Sequence, residues 1–160
     1  MDILEISYSK VVESSAKSWA SNCTFDHSGG GGGYGENLYL DGDYNHKNIT
    51  AILVDACNAW WGESTTDGVP TSWLTNFLGD NDEDQFEKCG HLTQMAWAKT
   101  SQIGCALKVC HTPQAPGNYV VCRYNPFGNC EGEPIYKKGQ PASGCGSAGK
   151  SSNYSGLCKP

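Results

Sequence analysis

At 160 residues and 17.2 kDa the chain fits one domain, long enough to bury a core of its own. A formal charge of −6 and a pI near 5.1 argue against nucleic acid and anionic membrane surfaces as main partners. Apolar content is 38%, mean hydropathy is −0.48, and no apolar run is long enough for a membrane span.

Nine cysteines, without the paired spacing of zinc knuckles, point to an oxidising compartment. Three sequons, at Asn22, Asn48 and Asn153, agree with a secreted glycoprotein. No signal peptide opens the chain, so Met1 is read as an expression start or the mark of a truncated form.

From the N-terminus, Leu4, Ile6 and Tyr8 alternate with polar residues and predict a short half-buried strand. Ser9 can cap a helix with Val12, Ala16, Trp19 and Cys23 on one side, running out near Asn22 just before His27. Residues 29–33 are all glycine; without a following Lys-Ser or Lys-Thr pair they read as a surface loop, not a phosphate cradle. Tyr34-Gly35-Glu36-Asn37 leads out of it into Leu38-Tyr39-Leu40.

A second helix is expected between Asn48 and Gly62, with Ile49, Ile52, Leu53, Ala56 and Trp60 as its buried stripe. Glu63 falls at its carboxyl end, where the helix dipole disfavours an anion unless a cation faces it. Residues 64–88 read as irregular, with an acidic run at 80–84 and Trp73, Phe77 and Phe86 either covering the core or lining a groove. A third helix is expected to open at His91, which the helix N-terminus would hold neutral, with Leu92, Met95 and Ala96 facing a core.

A hairpin follows. Ile103, Cys105, Leu107 and Val109 alternate on one strand and Val120, Cys122 and Tyr124 on the other, with the turn over residues 111–117. His46 and His111 read as surface residues. The stretch after Asn125-Pro126 is rich in Gly, Ser and Pro, and Cys145 and Cys158 would hold it as a tail.

Gly90-His91-Leu92-Thr93-Gln94-Met95-Ala96-Trp97 and the stretch from Tyr119 through Cys122-Arg123-Tyr124-Asn125-Pro126 to Asn129 resemble two signatures of one superfamily. It is that of cysteine-rich secretory proteins, antigen 5 and pathogenesis-related class 1 proteins. Tyr34-Gly35-Glu36-Asn37, Trp60-Trp61-Gly62-Glu63 and the stretch from Trp19 to Ser28 fit it in the same order. Ala98-Lys99-Thr100, Gly132-Glu133-Pro134-Ile135-Tyr136 and the Ser155-Gly156-Leu157-Cys158 ending are similar to activation-associated or venom-allergen-like proteins of parasitic nematodes.

The resemblance implies an α+β fold, a disulfide-braced three-layer α-β-α sandwich with a central antiparallel sheet. It divides the chain into a domain at 1–136 and a Cys-containing tail at 137–160. The family's usual first helix is missing upstream of the opening strand, which would leave one face bare and invite a homodimer. The resemblance also implies a cleft formed by His27, Glu36, Glu63 and His91, a set suited to Zn²⁺, whereas Mg²⁺ would be held by carboxylates and water. It pairs Cys23 with Cys110 and Cys105 with Cys122. Pairs of Cys57 with Cys89 and Cys145 with Cys158 are then guessed, which leaves Cys130 unpaired.

Three functions compete. The first is a secreted, non-enzymatic effector of a parasite-like organism that binds a host receptor, adhesion or plasma protein. The second is a lipid or sterol carrier, with Trp73 and Phe77 as contacts. The third is a hydrolase using His91, Glu63 and a nearby Ser28 or Ser64. The absence of a Gly-x-Ser-x-Gly elbow and of a His-Glu-x-x-His motif weighs against it, so no residue is assigned as catalytic.

Overall fold

Strand β4 (Ala115–Asn125) is the spine of the molecule. The computed structural model describes residues 1–29, 32–45 and 48–160; Gly30 and Gly31 of the glycine loop, His46 and Lys47 lie outside the described residues. Strand β1 (Ser7–Tyr8) precedes helix α1 (Lys10–Ala20), then β2 (Gly35–Asp41), α2 (Ile49–Thr66), α3 (Glu83–Met95), β3 (Gln102–Thr112) and β4. The sheet order is β1-β3-β4-β2. β4 runs antiparallel to β3 with Cys105 opposite Cys122, and antiparallel to β2 with Glu36 opposite Arg123.

The sheet is mixed, because the two residues of β1 pair parallel to β3. The expected half-buried strand is correspondingly reduced. Ile6 and Tyr8 are 40% and 56% exposed, and Leu4 instead bridges to Cys158 of the tail.

α1 covers one sheet face with Val12, Ala16 and Ala20 and is capped by Ser9, whose hydroxyl accepts from the Val12 N–H. It lies so close to β3 that a Cβ on Gly104 would meet the Glu13 nitrogen at 2.1 Å, so only glycine fits there. α2 covers the opposite face with Ile52, Ala56 and Trp60 around Val120, Cys122 and Tyr124. It runs past Gly62 to Thr66, because the Glu63 carbonyl accepts from both the Asp67 and Gly68 N–H groups and closes one more turn.

α3 begins eight residues before His91, at Glu83. Asp82 caps it by accepting from the Gln85 N–H, and Glu83 and Asp84 in the first turn suit the positive end of the helix dipole. The acidic run that read as irregular is thus a helix start, and His91 sits in the third turn. The dipole at a helix start therefore gives no reason for its charge state.

Between α2 and α3 the chain is pinned inward. Trp73 and Phe77 are 3% and 1% exposed and pack edge-to-face at 5.0 Å, with Cys89, Trp97 and Ile135 around them. They cover a core. The β3–β4 turn shrinks to Pro113 and Gln114, because residues 115–117 pair with 110–112 and the Thr112 hydroxyl accepts from the Ala115 N–H.

Disulfides join Cys23 to Cys110, Cys105 to Cys122 and Cys145 to Cys158. Cys57 and Cys89 are not joined; both are free thiols, as is Cys130. Cys89 is buried among the aromatic residues and donates to the Gln85 carbonyl, whereas Cys57 is exposed on α2, so the guessed bridge does not form.

The tail lies along the first residues. Glu5 N–H donates to the Cys158 carbonyl, Cys158 N–H to Ile3 and Gly144 N–H to Met1. α1 and α2 cover the two sheet faces, against the bare face expected, and an apolar cavity of about 420 Å³ lies beside the first residues. Met1, Ile3, Trp61, Leu74, Leu92 and Ile135 are among its lining residues.

Candidate functional site

His27 is placed by the loop that leaves α1. The Trp19 indole N–H donates to the Asp26 carbonyl, the Thr112 hydroxyl donates to the Cys23 carbonyl, and the Cys23–Cys110 bridge anchors the loop to β3. The Asp26 carboxylate then accepts from the His27 backbone N–H at 2.8 Å. Across from it, His27 Nδ1 meets Glu36 Oε1 at 3.1 Å.

Glu36 projects from β2 and is heavily engaged. It accepts from the Ser28 N–H at 3.0 Å and from Arg123 Nε and Nη2, each at 3.0 Å. Both side chains are almost closed off from water, at 6% and 7% exposure, and Arg123 also donates to the Ser15 hydroxyl. Burial pushes the Glu36 carboxyl up, but hydrogen bonds from His27, Ser28 and Arg123, with the Arg123 charge, outweigh it. The net effect is below the ordinary carboxylate value.

The second half mirrors the first. His91 Nδ1 meets Glu63 Oε1 at 2.6 Å, and Glu63 Oε2 accepts from the Leu92 N–H at 2.9 Å. The imidazole lies nearly parallel to the Trp60 indole, 16° off at 6.0 Å, and the Asn37 amide donates to both the His91 carbonyl and the Tyr124 hydroxyl. In place of the cation expected to face a glutamate near the helix end stand an imidazole and a backbone N–H.

The rest of the second signature locks α3 in place. Asn129 donates to the Gly90 carbonyl and accepts from the Thr93 hydroxyl, and the Gly128 N–H donates to the Gln94 side chain. Gly35 must stay bare here, since a Cβ on it would fall 1.9 Å from Gln94 Oε1.

The structure therefore brings His27 and Glu36 together as one pair and His91 and Glu63 as another, and a cleft of about 330 Å³ touches His27, Glu36 and His91. Each carboxylate faces an Nδ1 and makes that nitrogen the donor, so in the neutral ring the lone pair lies on Nε2. Two imidazoles are thus available to a metal or a proton. The glutamates already hold other donors, and no group of three or more His, Cys, Asp or Glu side chains converges on a metal position among the described residues. The four-ligand set expected from sequence becomes two nitrogens with two carboxylates behind them.

Of the candidate hydroxyls, Ser64 lines the apolar cavity instead of the cleft. Ser28 lines the cleft's continuation, but it is its N–H that joins the network. The sequon asparagines Asn22, Asn48 and Asn153 are all exposed; Asn48 also caps α2, and Asn153 donates to Glu5.

Sequence reasoning quoted Arg123 within a signature without giving it a task. The available signal was a lone cation within the apolar run Tyr119 to Tyr124, which demands a buried anion. Asn37 was quoted without a role, and Glu83 and Glu87 on the cleft wall were missed because α3 was started too late; Phe86, read as covering the core or lining a groove, lies on that wall.

The model of the cysteine-rich secretory protein family (CAP) matches residues 2–124. Ancylostoma secreted protein of Ancylostoma caninum is 37% identical over 98% of the chain, which spans only 36% of that relative. Scoloptoxin SSD976 of Scolopendra dehaani is 33% identical over 96% of the chain and 69% of its own length. A crystal structure described as NaASP2 with Zn²⁺ superposes with a TM-score of 0.81 at 33% identity, covering 99% of this chain and 78% of that one.

Proposed function

The chain belongs to the cysteine-rich secretory protein family, and from that premise we propose that it is a secreted, non-catalytic recognition module whose targets are extracellular proteins of a host. The carrying observation is the saturation of the cleft: both glutamates are occupied in orienting histidines, and among the described residues no side-chain hydroxyl hydrogen-bonds to either imidazole. Two oriented bases without a nucleophile serve binding better than bond cleavage. Export is supported by the three disulfides, and no described helix is long and apolar enough to cross a membrane.

The residues that would offer nitrogen to a Zn²⁺-type ion are His27 and His91, both on the wall of the cleft, with Glu36 and Glu63 holding the rings from behind and water needed to complete the ligand set. Such an ion would supply Lewis acidity or a rigid cross-link between the two walls.

Immobilised protein exposed to host plasma and blood-cell membranes should retain a defined set of proteins. The Glu63→Gln/His91→Gln double variant should retain the same set within about tenfold in affinity, or roughly 1.4 kcal/mol. Turnover of a peptide or ester library that disappears in the double variant would overturn the reading in favour of a hydrolase.

A second reading, carriage of a lipid or sterol, is favoured by the apolar cavity beside Trp61 and Ile135. Trp73 and Phe77, the contacts first expected for it, are buried in the core instead.

A further inference from the structure

Helix α3 carries Glu83, Glu87 and His91 at intervals of four residues, which places all three on one helix face. The cleft of about 330 Å³ opens on that face, with His27 and Glu36 among its other lining residues. Phe86, half-buried on the neighbouring row of the helix, adds an aromatic ring to the wall. Glu83 and Glu87 are exposed, and among the described residues no cation forms an ion pair with either. Like charges one turn apart repel, so a cation from outside is favoured between them.

The hydrogen bonds around the cleft point the same way, independently of those two charges. Its side-chain donors are largely spent on the protein itself. The Asn37 amide donates to the His91 carbonyl and the Tyr124 hydroxyl, the Asn129 amide to the Gly90 carbonyl, and each imidazole Nδ1 to its glutamate. What the lining residues have left to offer is mostly acceptors: the Glu83 and Glu87 carboxylates and, in the neutral rings, the second nitrogens of His27 and His91. Among the described residues no three such side chains converge on one point, so the set suits a ligand with several separated donors better than a single ion. A guanidinium has that form. It is planar, permanently charged, carries five N–H donors and no acceptor, and stacks on aromatic faces.

We propose that the cleft receives an arginine side chain of a partner protein, its guanidinium held by Glu83 and Glu87, bonded to the imidazoles and laid against Phe86. The inference rests on the reading of the domain as a recognition module and names the side chain that the module takes. Charge pairing with the two glutamates carries most of the affinity. His91→Gln keeps an acceptor at its position, which agrees with the small loss expected above for the Glu63→Gln/His91→Gln variant. A free guanidine offers the same chemistry as an arginine side chain, and the test separates the two sources.

The test is to titrate the ¹⁵N-labelled full chain with N-acetyl-arginine methylamide and to follow its amide resonances. Saturable shifts should appear at Glu87, Gly90 and His91 and across the cleft at His27. The citrulline analogue, which keeps the shape but lacks the charge, should bind at least tenfold more weakly, and the lysine analogue should also bind more weakly than arginine. Glu83→Gln/Glu87→Gln should weaken arginine at least tenfold. Asp80→Asn/Asp84→Asn, the same change of charge outside the cleft, should not. Absence of saturable shifts, shifts confined to other surfaces, citrulline or lysine binding as well as arginine, or equal losses in the two double variants overturns the proposal. Agmatine binding more tightly than the arginine amide overturns the protein source in favour of a free guanidine. Thermal melts verify that the variants are folded, and Glu87→Lys gives a second block where the double variant fails to fold. Host proteins retained equally by wild type and Glu83→Gln/Glu87→Gln would remove the arginine site from recognition and leave the module. Arginine bound in the cleft while wild type retains no host protein would do the reverse.

Discussion

The four cleft residues divide the labour unequally. The histidines present lone pairs, whereas the glutamates set which nitrogen carries the proton. Titration calorimetry with Zn²⁺ should therefore show one site that is lost in His27→Ala and in His91→Ala. Glu63→Gln should retain the site but weaken it about 10–100-fold, the usual cost of losing an orienting partner. Glu36 differs from Glu63 because a buried arginine stands behind it. Its folded-state value is depressed, so the stability it contributes is fully present above the unfolded carboxylate value and is lost as pH falls through the folded one. The urea midpoint of wild type should exceed that of Glu36→Gln near neutrality, and the gap should shrink on acidification. His27, Glu36, Glu63 and His91 were all legible through motif order. Arg123 was quoted but not given its role, because the anion it answers lies 87 residues away, a pairing visible only once the strands are in register.

At the scale of elements, local signals that could be capped or counted were readable, whereas those depending on distant partners were not. Ser9 caps α1 as expected, α2 starts after Asn48 as expected, and the β3–β4 hairpin has the expected strands. The start of α3 was missed because its first two turns look acidic and polar when Phe86 and Cys89 are considered without the aromatic cluster they meet. The bridge guessed between Cys57 and Cys89 failed for a related reason, since helical phase decides which way each thiol faces. Native alkylation with iodoacetamide should modify Cys57 readily and Cys89 only after unfolding, as peptide mass mapping would reveal. Burial raises the pKa of both thiols, which favours a slow reaction in each case and leaves access to separate them.

The whole molecule is an acidic scaffold with helices on both faces of its sheet, and its net charge of −6 acts over the distance of approach as well as at contact. Association with the proteins that the immobilised domain retains should slow as salt rises, while dissociation changes less. Stopped-flow measurement of both rates separates the two.

The positions of two bridges carry one more consequence. Cys23–Cys110 encloses the glycine-rich loop, β2 and all of α2 and α3, and Cys105–Cys122 ties the same strand to its neighbour. Any single peptide-bond cut between Cys23 and Cys110 yields two pieces that remain one covalent molecule. A protease that nicks an exposed turn within this span therefore cannot discard a fragment. Limited trypsin digestion should leave one full-length band without reductant and two shorter ones with it, and the nicked protein should keep its melting transition. The cross-links then act as an insurance against cleavage, holding the fold through damage that would dismember an unbridged chain.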